Sequence, residues 1–176
     1  MPNHLAPLGG PTPSTAAEGS AEIEHTAQEI LEELLLKMQI KARVTAQWAA
    51  PAQPGESAAL LLNVQGDDLS QLIGRRGETL AALQYITRIM VTKQIGELAN
   101  VVVDVEGYKA RREQQLRRLA QRMAEQAVEQ GRTVVLEPMP PNERRLIHLA
   151  LRDSPEVHTE SVGEGEHRKV TIVPRR

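Results

Sequence analysis

The sequence predicts an α+β protein built from two small units. Over the first unit, segments with apolar residues at helical spacing and short apolar runs follow one another in the order α-β-β-α-α-β. After residue 107, a long charged helix, a strand, a helix and two more strands predict a small α/β unit with a three-stranded sheet. We therefore expect one domain over residues 21–106 and a second over residues 107–176.

The elements of the first unit follow from local patterns. Residues 1–20 are rich in Pro, Gly, Ser, Thr and Ala, so we expect a disordered tail or the remnant of a linker there. A helix is predicted to begin near Ser20 or Ala21, where apolar residues start to recur at helical spacing. The remaining predicted elements are strands over 41–48 and 58–64 joined by a hairpin loop, a short helix over 68–73, a helix from Glu78 to about Gln94, and a strand over 100–105.

The second unit opens with a charged helix predicted from Tyr108 to about Gln130, which Gly131 ends. A proline-rich segment over residues 138–141 interrupts the chain later in the unit. Around it are a predicted strand over 133–136, a helix over 142–151 and two final strands over 157–162 and 168–173.

Composition excludes several classes of protein. The 176 residues include no cysteine, so a disulfide framework and a thiolate metal site are both excluded. No stretch approaches the roughly 18 consecutive apolar residues of a membrane span, and no apolar core follows a basic start near the N-terminus. We therefore expect a cytoplasmic protein with no leader and no membrane contact.

Aromatic residues are scarce and the charge is unevenly distributed. Trp48, Tyr85 and Tyr108 are the only aromatics, which argues against RNA binding by stacking on several sheet aromatics. The net charge is −2, yet residues 107–152 hold ten Lys and Arg against five acids. A basic segment of this kind suits a phosphate-rich partner, which the overall charge does not suggest.

Gly74, Arg75, Arg76 and Gly77 lie between the two predicted helices of the first unit. Glycine lacks a Cβ, so the backbone can turn sharply there and approach a sugar-phosphate chain closely. The next helix would direct its unpaired N–H groups and positive dipole end to the same place, with the arginines as phosphate partners. Taken alone, the tetrapeptide fits an ordinary helix corner with two exposed arginines equally well.

In its predicted context, this loop resembles the G-x-x-G loop of a KH domain of type II. The resemblance implies that the loop clamps the backbone of about four nucleotides of single-stranded RNA or DNA. Bases would then lie in an apolar groove, for which Leu69, Leu72 and Ile73 are candidates, although core packing is the simpler interpretation of each. Arg88 lies on a polar arc of the next helix and is a candidate for assisting binding, with a solvated face as the alternative.

The predicted helix over residues 142–151 separates into an apolar face and a basic face. Arg144, Arg145, His148 and Arg152 share the basic face, and Arg144 and His148 are neighbours at i, i+4 spacing. We therefore expect a histidine that projects from the polar face rather than a buried structural one, with a solvated basic face that has no partner as the alternative. No ligand set or nucleophile stands near His148, so we expect neither a metal nor a catalytic site.

Arg144-x-x-x-His148 is the signature of the R-3-H domain, and longer stretches strengthen the resemblance. The chain resembles the bacterial Jag family, also called KhpB or SpoIIIJ-associated, over about residues 21–174. Many members carry an N-terminal Jag domain, which we expect to be missing here because the predicted tail leaves no room for it. Ala81 also departs from the frequent acid at its position. The stretches that carry the resemblance are residues 104–112, 136–148, 157–165 and 168–174.

This resemblance implies a cytoplasmic bacterial protein that binds single-stranded RNA, or single-stranded DNA. It would be an RNA chaperone or post-transcriptional regulator linked to cell-wall homeostasis and cell elongation, and a small KH protein (KhpA) would be its partner. The alternative is a scaffold that mainly pairs with that partner, with nucleic acid secondary. No Walker loop, metal triad or nucleophile elbow is present, so we expect no enzymatic activity and no cofactor. The site residues would be Ile73, Gly74, Arg75, Arg76, Gly77, Arg88, Arg144, Arg145 and His148.

Overall fold

The computed structural model describes residues 13–51, 57–96 and 100–175. The chain forms two compact units, Met1–Gly107 and Tyr108–Arg176, each with its own three-stranded sheet. The α+β fold class predicted from the sequence is confirmed. In the described residues, no helix is long and apolar enough to cross a bilayer.

The elements of the first unit follow the predicted order. They are α1 (Pro13–Lys37), β1 (Ala42–Ala49), β2 (Ala59–Gly66), α2 (Ser70–Ile73), α3 (Glu78–Ile95) and β3 (Val101–Val105), with one 3₁₀ turn (Arg75–Gly77) before α3. Central strand β2 pairs antiparallel with β1 and parallel with β3. Most of the hairpin loop predicted between β1 and β2 falls on residues 52–56, which lie outside the described residues.

Helix α1 begins earlier than predicted, at Pro13 rather than near Ser20. Proline fits the first turn of a helix because it has no N–H to leave unpaired, and Ala16, Ala17 and Glu18 are strong helix formers. The predicted disordered tail over residues 1–20 is therefore wrong from residue 13 onward. Residues 1–12 lie outside the described part of the chain.

The core of the first unit lies between its sheet and two helices. Helix α1 packs against β1, α3 packs against β3, and the two helices contact each other. Side chains alternate along the strands, so Leu62 and Val103, which pair in register, are both buried on the helix side. Leu31 and Leu80 bury the facing sides of α1 and α3. This arrangement holds the start of α3, and the loop before it, in a fixed place.

The second unit consists of α4 (Tyr108–Gln130), β4 (Val134–Val135), α5 (Pro141–Leu151), β5 (Val157–Val162) and β6 (Lys169–Pro174), with a 3₁₀ turn (Gly165–His167) before β6. The sheet order is β4-β6-β5, and both pairings are antiparallel. Helices α4 and α5 pack on each other and on β6 around a core that includes Leu116, Ile147 and Ile172. Strand β4 is shorter than predicted, although the Leu136 N–H after it still donates a 2.9 Å hydrogen bond to the Val170 carbonyl of β6.

A buried ion pair joins the two helices of the second unit. Arg112 on α4 donates two hydrogen bonds, of 2.7 and 2.9 Å, to the two carboxylate oxygens of Glu143 on α5. The Glu143 side chain is only 4% exposed, so removal of the arginine would leave a buried charge without a partner. The hydrogen bond to Glu143 raises the pKa of Arg112, and burial raises the pKa of the neighbouring Tyr108. The pair fixes the first turn of α5, which also carries Arg144.

Candidate nucleic-acid interface

The loop between α2 and α3 requires a glycine at its first position. Gly74 has φ +68° and ψ −170°, and its N–H donates a 3.0 Å hydrogen bond to the Ser70 carbonyl. A Cβ at this position would overlap the Thr79 hydroxyl oxygen and would lie 2.8 Å from the Thr79 Cβ. Both the backbone angle and the space therefore exclude a side chain here.

The remaining loop residues bend the backbone so that α3 begins at once. Arg76 has φ 53° and ψ 26°, and Gly77 has φ 82° and ψ 13°, so both lie in the left-handed region. The left-handed region is unfavourable for arginine by about 1–2 kcal/mol. No side chain caps the start of α3, so its first-turn N–H groups and the positive end of its dipole lie at the loop. Consecutive N–H groups in such turns bind anions.

The predicted loop side chains occupy different environments. Arg75 is exposed, while Arg76 and Ile73 are half-buried. Leu69 and Leu72 are both buried in the core, which agrees with core packing, the simpler interpretation of each. Of the three aliphatic candidates for an apolar groove, only Ile73 retains accessible surface.

Arg88 is exposed on α3 but is not beside the loop. It lies eleven residues beyond Gly77, which corresponds to about 16 Å along the helix axis. The structure therefore does not bring Arg88 together with Arg75 and Arg76. A contact between Arg88 and nucleic acid stays a prediction.

Helix α3 carries a second apolar face, on the side opposite the core. Leu80, Leu83 and Val91 are buried, whereas Tyr85 and Ile89 are 67% and 49% exposed. Ile86 and Met90 are exposed on the same side. A helix that is apolar on both faces normally has both faces covered, so this surface has the character of a protein contact. We call Tyr85, Ile86, Ile89 and Met90 the outer face of α3.

In the second unit, His148 lies against β5 rather than in solvent. Its Nδ1 is 2.6 Å from Thr159 Oγ1, and its Nε2 is 2.8 Å from Ser161 Oγ. The ring is half-buried and lies on the polar face of α5 among hydroxyl side chains. The periodicity of α5 showed that this face is polar, but it could not show that the hydroxyl side chains of β5 cover it.

Arg144 shares one of these partners. Its Nε donates to the Met139 carbonyl at 3.3 Å, and its Nη1 donates to Ser161 Oγ at 3.4 Å. Ser161 therefore contacts both Arg144 and His148, and the predicted i, i+4 neighbours do meet. Arg145, also predicted, is exposed and forms no hydrogen bond or ion pair within the described ranges.

Burial lowers the pKa of His148, and the positive charges of Arg144 and Arg168 lower it further. The ring is consequently neutral at neutral pH, and the positive charge of this site comes from arginine side chains. Thr159 and Ser161 can each donate or accept a hydrogen bond, so they satisfy either neutral form of the ring. Arg168, which the sequence prediction did not name, lies directly before β6 and contributes to the lowered pKa of His148.

Four of the five arginines of α4 divide into two groups. Arg112 pairs with Glu143, and Arg117 donates to Glu113 at 2.8 Å. Arg118 and Arg122 are exposed on an open surface of the helix. The positive charge of α4 is therefore only partly available to a ligand. Over the ranges that the structure describes, no cluster of three potential metal ligands occurs.

Comparison with known proteins matches both units to families. The model of the KhpA/KhpB KH domain matches residues 24–105, and the model of the R-3-H domain matches residues 114–174. The chain is 34% identical to the RNA-binding protein KhpB of Clostridium symbiosum over 160 residues, which cover 91% of this chain and 70% of that protein.

Two further relatives carry the same name. The KhpB protein of Bacillus subtilis is 37% identical over 116 residues, or 65% of this chain and 56% of that protein. The one of Lactiplantibacillus plantarum is 35% identical over 167 residues, or 94% of this chain and 51% of that protein. The chain thus spans little more than half the length of these two relatives.

The tight packing at Gly74 predicts an unusually costly substitution. We expect Gly74→Ala to destabilise the first unit by on the order of 3 kcal/mol, because the methyl group adds overpacking to backbone strain. Gly96→Ala is the matched control: Gly96 also has a positive φ, of +81°, but no atom of the described residues lies within 4 Å of an added Cβ, so a loss of about 1 kcal/mol is expected. Urea unfolding followed by Trp48 fluorescence measures both, and equal losses would show that Thr79 does not restrict Gly74.

Proposed function

Because the chain belongs to the KhpB family, we propose that it binds single-stranded RNA by its sugar-phosphate backbone, with one contact site in each unit. The observation that carries this proposal is the loop from Gly74 to Gly77. The loop has a glycine, with no side chain, at each end. It leads into a helix start that no side chain caps, and it carries the exposed Arg75. Loops of this kind in KH domains clamp about four nucleotides of a single strand.

Backbone recognition fits the side chains around the loop better than base stacking does. Trp48, Tyr85 and Tyr108 are the only aromatic residues of the whole sequence, and none belongs to the loop. Phosphate contacts fix the position of the protein on the strand without distinguishing bases. We therefore expect an affinity that depends strongly on salt concentration and weakly on base sequence. Single-stranded DNA would bind by the same contacts, and its affinity relative to RNA measures any use of the 2′-hydroxyl.

The second contact site of this proposal contains Arg144, held by Ser161 and Met139, with Arg145 exposed beside it. A guanidinium fixed at its Nε still has donors left for a phosphate oxygen. The neutral His148 contributes through Ser161 in the free protein rather than through its own charge. Two sites on one chain increase the affinity for a strand that can reach both.

The wider role in this proposal comes from family membership. It comprises a cytoplasmic location, RNA chaperone activity or post-transcriptional regulation, and a link to cell-wall homeostasis and cell elongation. Nothing in the arrangement of the described residues points to an enzymatic step. No cofactor is part of the proposal.

A second candidate function has its own observation in its favour. The outer face of α3 exposes four large apolar side chains, which is costly unless a partner covers them. The matching family model covers the KH domains of both KhpA and KhpB, so the partner we propose is a small KH protein. Pairing through this face would leave the loop free for RNA.

The leading proposal predicts a change in salt dependence. The double variant Arg75→Gln/Arg76→Gln should weaken binding of a single-stranded RNA and reduce the slope of log affinity against log salt by about one to two units. Lys37→Gln/Arg43→Gln removes the same charge from the same unit away from the loop, and should leave the slope nearly unchanged. Fluorescence anisotropy at several salt concentrations measures both variants; an unchanged slope in the loop variant contradicts the assignment.

The second candidate predicts loss of partner binding without loss of RNA binding. Ile86→Glu/Ile89→Glu should weaken association with a small KH protein at least about tenfold, because two charges would enter an apolar contact. Leu36→Glu is the control, since Leu36 is 74% exposed on α1 and outside the outer face. Sedimentation velocity of the mixed proteins gives the association, and partner binding by the Ile86/Ile89 variant at wild-type strength rules the surface out.

A further inference from the structure

The exposed side of α4 carries two arginines that the fold does not use. Leu116, Ala120 and Ala127 bury the opposite side of the helix in the core of the second unit. Arg118 and Arg122 are both exposed, and neither forms an ion pair or a side-chain hydrogen bond with any residue that the structure describes. We call Arg118 and Arg122 the arginine pair of α4.

The sequence around the arginine pair leaves its charge uncompensated. Residues 114–124 contain three Arg and no Asp or Glu. The third of these arginines, Arg117, is paired with Glu113. At the positions three and four residues from Arg118, where a carboxylate could form an ion pair along the helix, the chain has three glutamines and Arg122. Two like charges at this spacing repel each other, so they do not stabilise the helix.

The two charges are close enough for their fields to add. Arg118 and Arg122 are separated by about 6 Å along the helix axis, which is shorter than the Debye length of about 10 Å in 0.1 M salt. Glu125, an acid on the same surface, follows Arg122 by three residues and forms no ion pair with it in the described part of the chain. The arginine pair therefore produces a local positive potential, which attracts phosphate groups.

No contact holds the two guanidinium groups in a fixed position. Arg144 is held by hydrogen bonds to Met139 and Ser161, and the arginine pair has no such bonds to the residues described by the structure. A flexible, exposed side chain loses conformational entropy when a contact fixes it. Exposed charges at the edge of an interface therefore act mainly on the rate of association and on its salt dependence, rather than on the lifetime of the complex.

We propose that the arginine pair of α4 is a steering surface for single-stranded nucleic acid. It attracts the phosphates of the approaching strand and speeds association, without a fixed contact in the complex. This inference rests on the proposed function and adds two residues that belong to neither of the proposed contact sites.

The test measures the association and dissociation rates of the full chain with a fluorescently labelled single-stranded RNA by stopped flow. In about 0.1 M salt, Arg118→Gln/Arg122→Gln should lower the association rate constant about threefold to tenfold and change the dissociation rate constant less than about twofold. In about 0.5 M salt, the association rates of the variant and the wild type should converge, because screening removes the attraction at a distance.

Two controls separate steering from a fixed contact and from total charge. Arg118→Lys/Arg122→Lys keeps both charges but loses the planar donor fork, so steering predicts rates close to those of the wild type. Lys169→Gln/Arg132→Gln removes the same charge from the same unit. Lys169 lies on the sheet face away from the helices, since the neighbouring Val170 is in the core, and Arg132 lies beyond the end of α4. This second control should change the association rate less than about twofold in about 0.1 M salt.

The outcomes distinguish this inference from the proposed function. Equal association rates for the Arg118/Arg122 glutamine variant and the wild type, with the Arg75/Arg76 variant still weakened, would overturn the steering surface alone. Faster dissociation shared by the glutamine and lysine variants would also overturn it, because that result identifies a fixed contact. No RNA binding by the wild-type chain would overturn the proposed function as well.

Discussion

The contact between Gly74 and Thr79 is the constraint on which the first site depends. It places the loop directly against the first turn of α3, whose start has no side-chain cap, and the exposed Arg75 belongs to the same loop. Any side chain at Gly74 would push the loop off the helix. The helix in turn is held by Leu80 and Val91, which are buried in the core of the unit. Packing in the free protein therefore fixes the conformation of the loop that we propose to bind the nucleic-acid backbone. The loop does not have to close on its ligand.

A second constraint is the distribution of charge in a chain with a net charge of −2. Several cations are neutralised within the fold, as the pairs of Arg112 with Glu143 and of Lys37 with Glu33 illustrate. Arg75 and Arg144 form no such pair with a carboxylate of the described residues. The surface proposed to bind phosphate is consequently defined by which arginines lack a carboxylate partner, and the total charge says little about it.

The sequence was sufficient for the fold class and for the loop, because both depend on local signals. Helical spacing, strand alternation and the two glycines are visible without coordinates, and the structure gives Gly74 and Gly77 positive φ angles. Contacts between distant segments were not predictable in the same way. The periodicity of α5 placed His148 on a polar face, but it could not show that Thr159 and Ser161 contact the ring.

The start of α1 and the outer face of α3 show two further limits. Composition suggested a tail through residue 20, yet helix propensity extends the helix back to Pro13. The apolar residues of α3 could all have been core, and only burial distinguishes Leu83 from Ile89. Sequence patterns therefore predicted which segments are helices and which are strands. The exposure of individual side chains and their contacts with distant segments could be read only from the packed structure.

The central claim is that a single strand contacts one defined place in each unit. Amide NMR spectra of the full chain, recorded during titration with a single-stranded RNA, test it most directly. We expect the signals that shift to be those of the loop from Gly74 to Thr79 and of the residues around Met139, Arg144 and Ser161. Shifts confined to the outer face of α3, with the loop signals unmoved, would contradict the account.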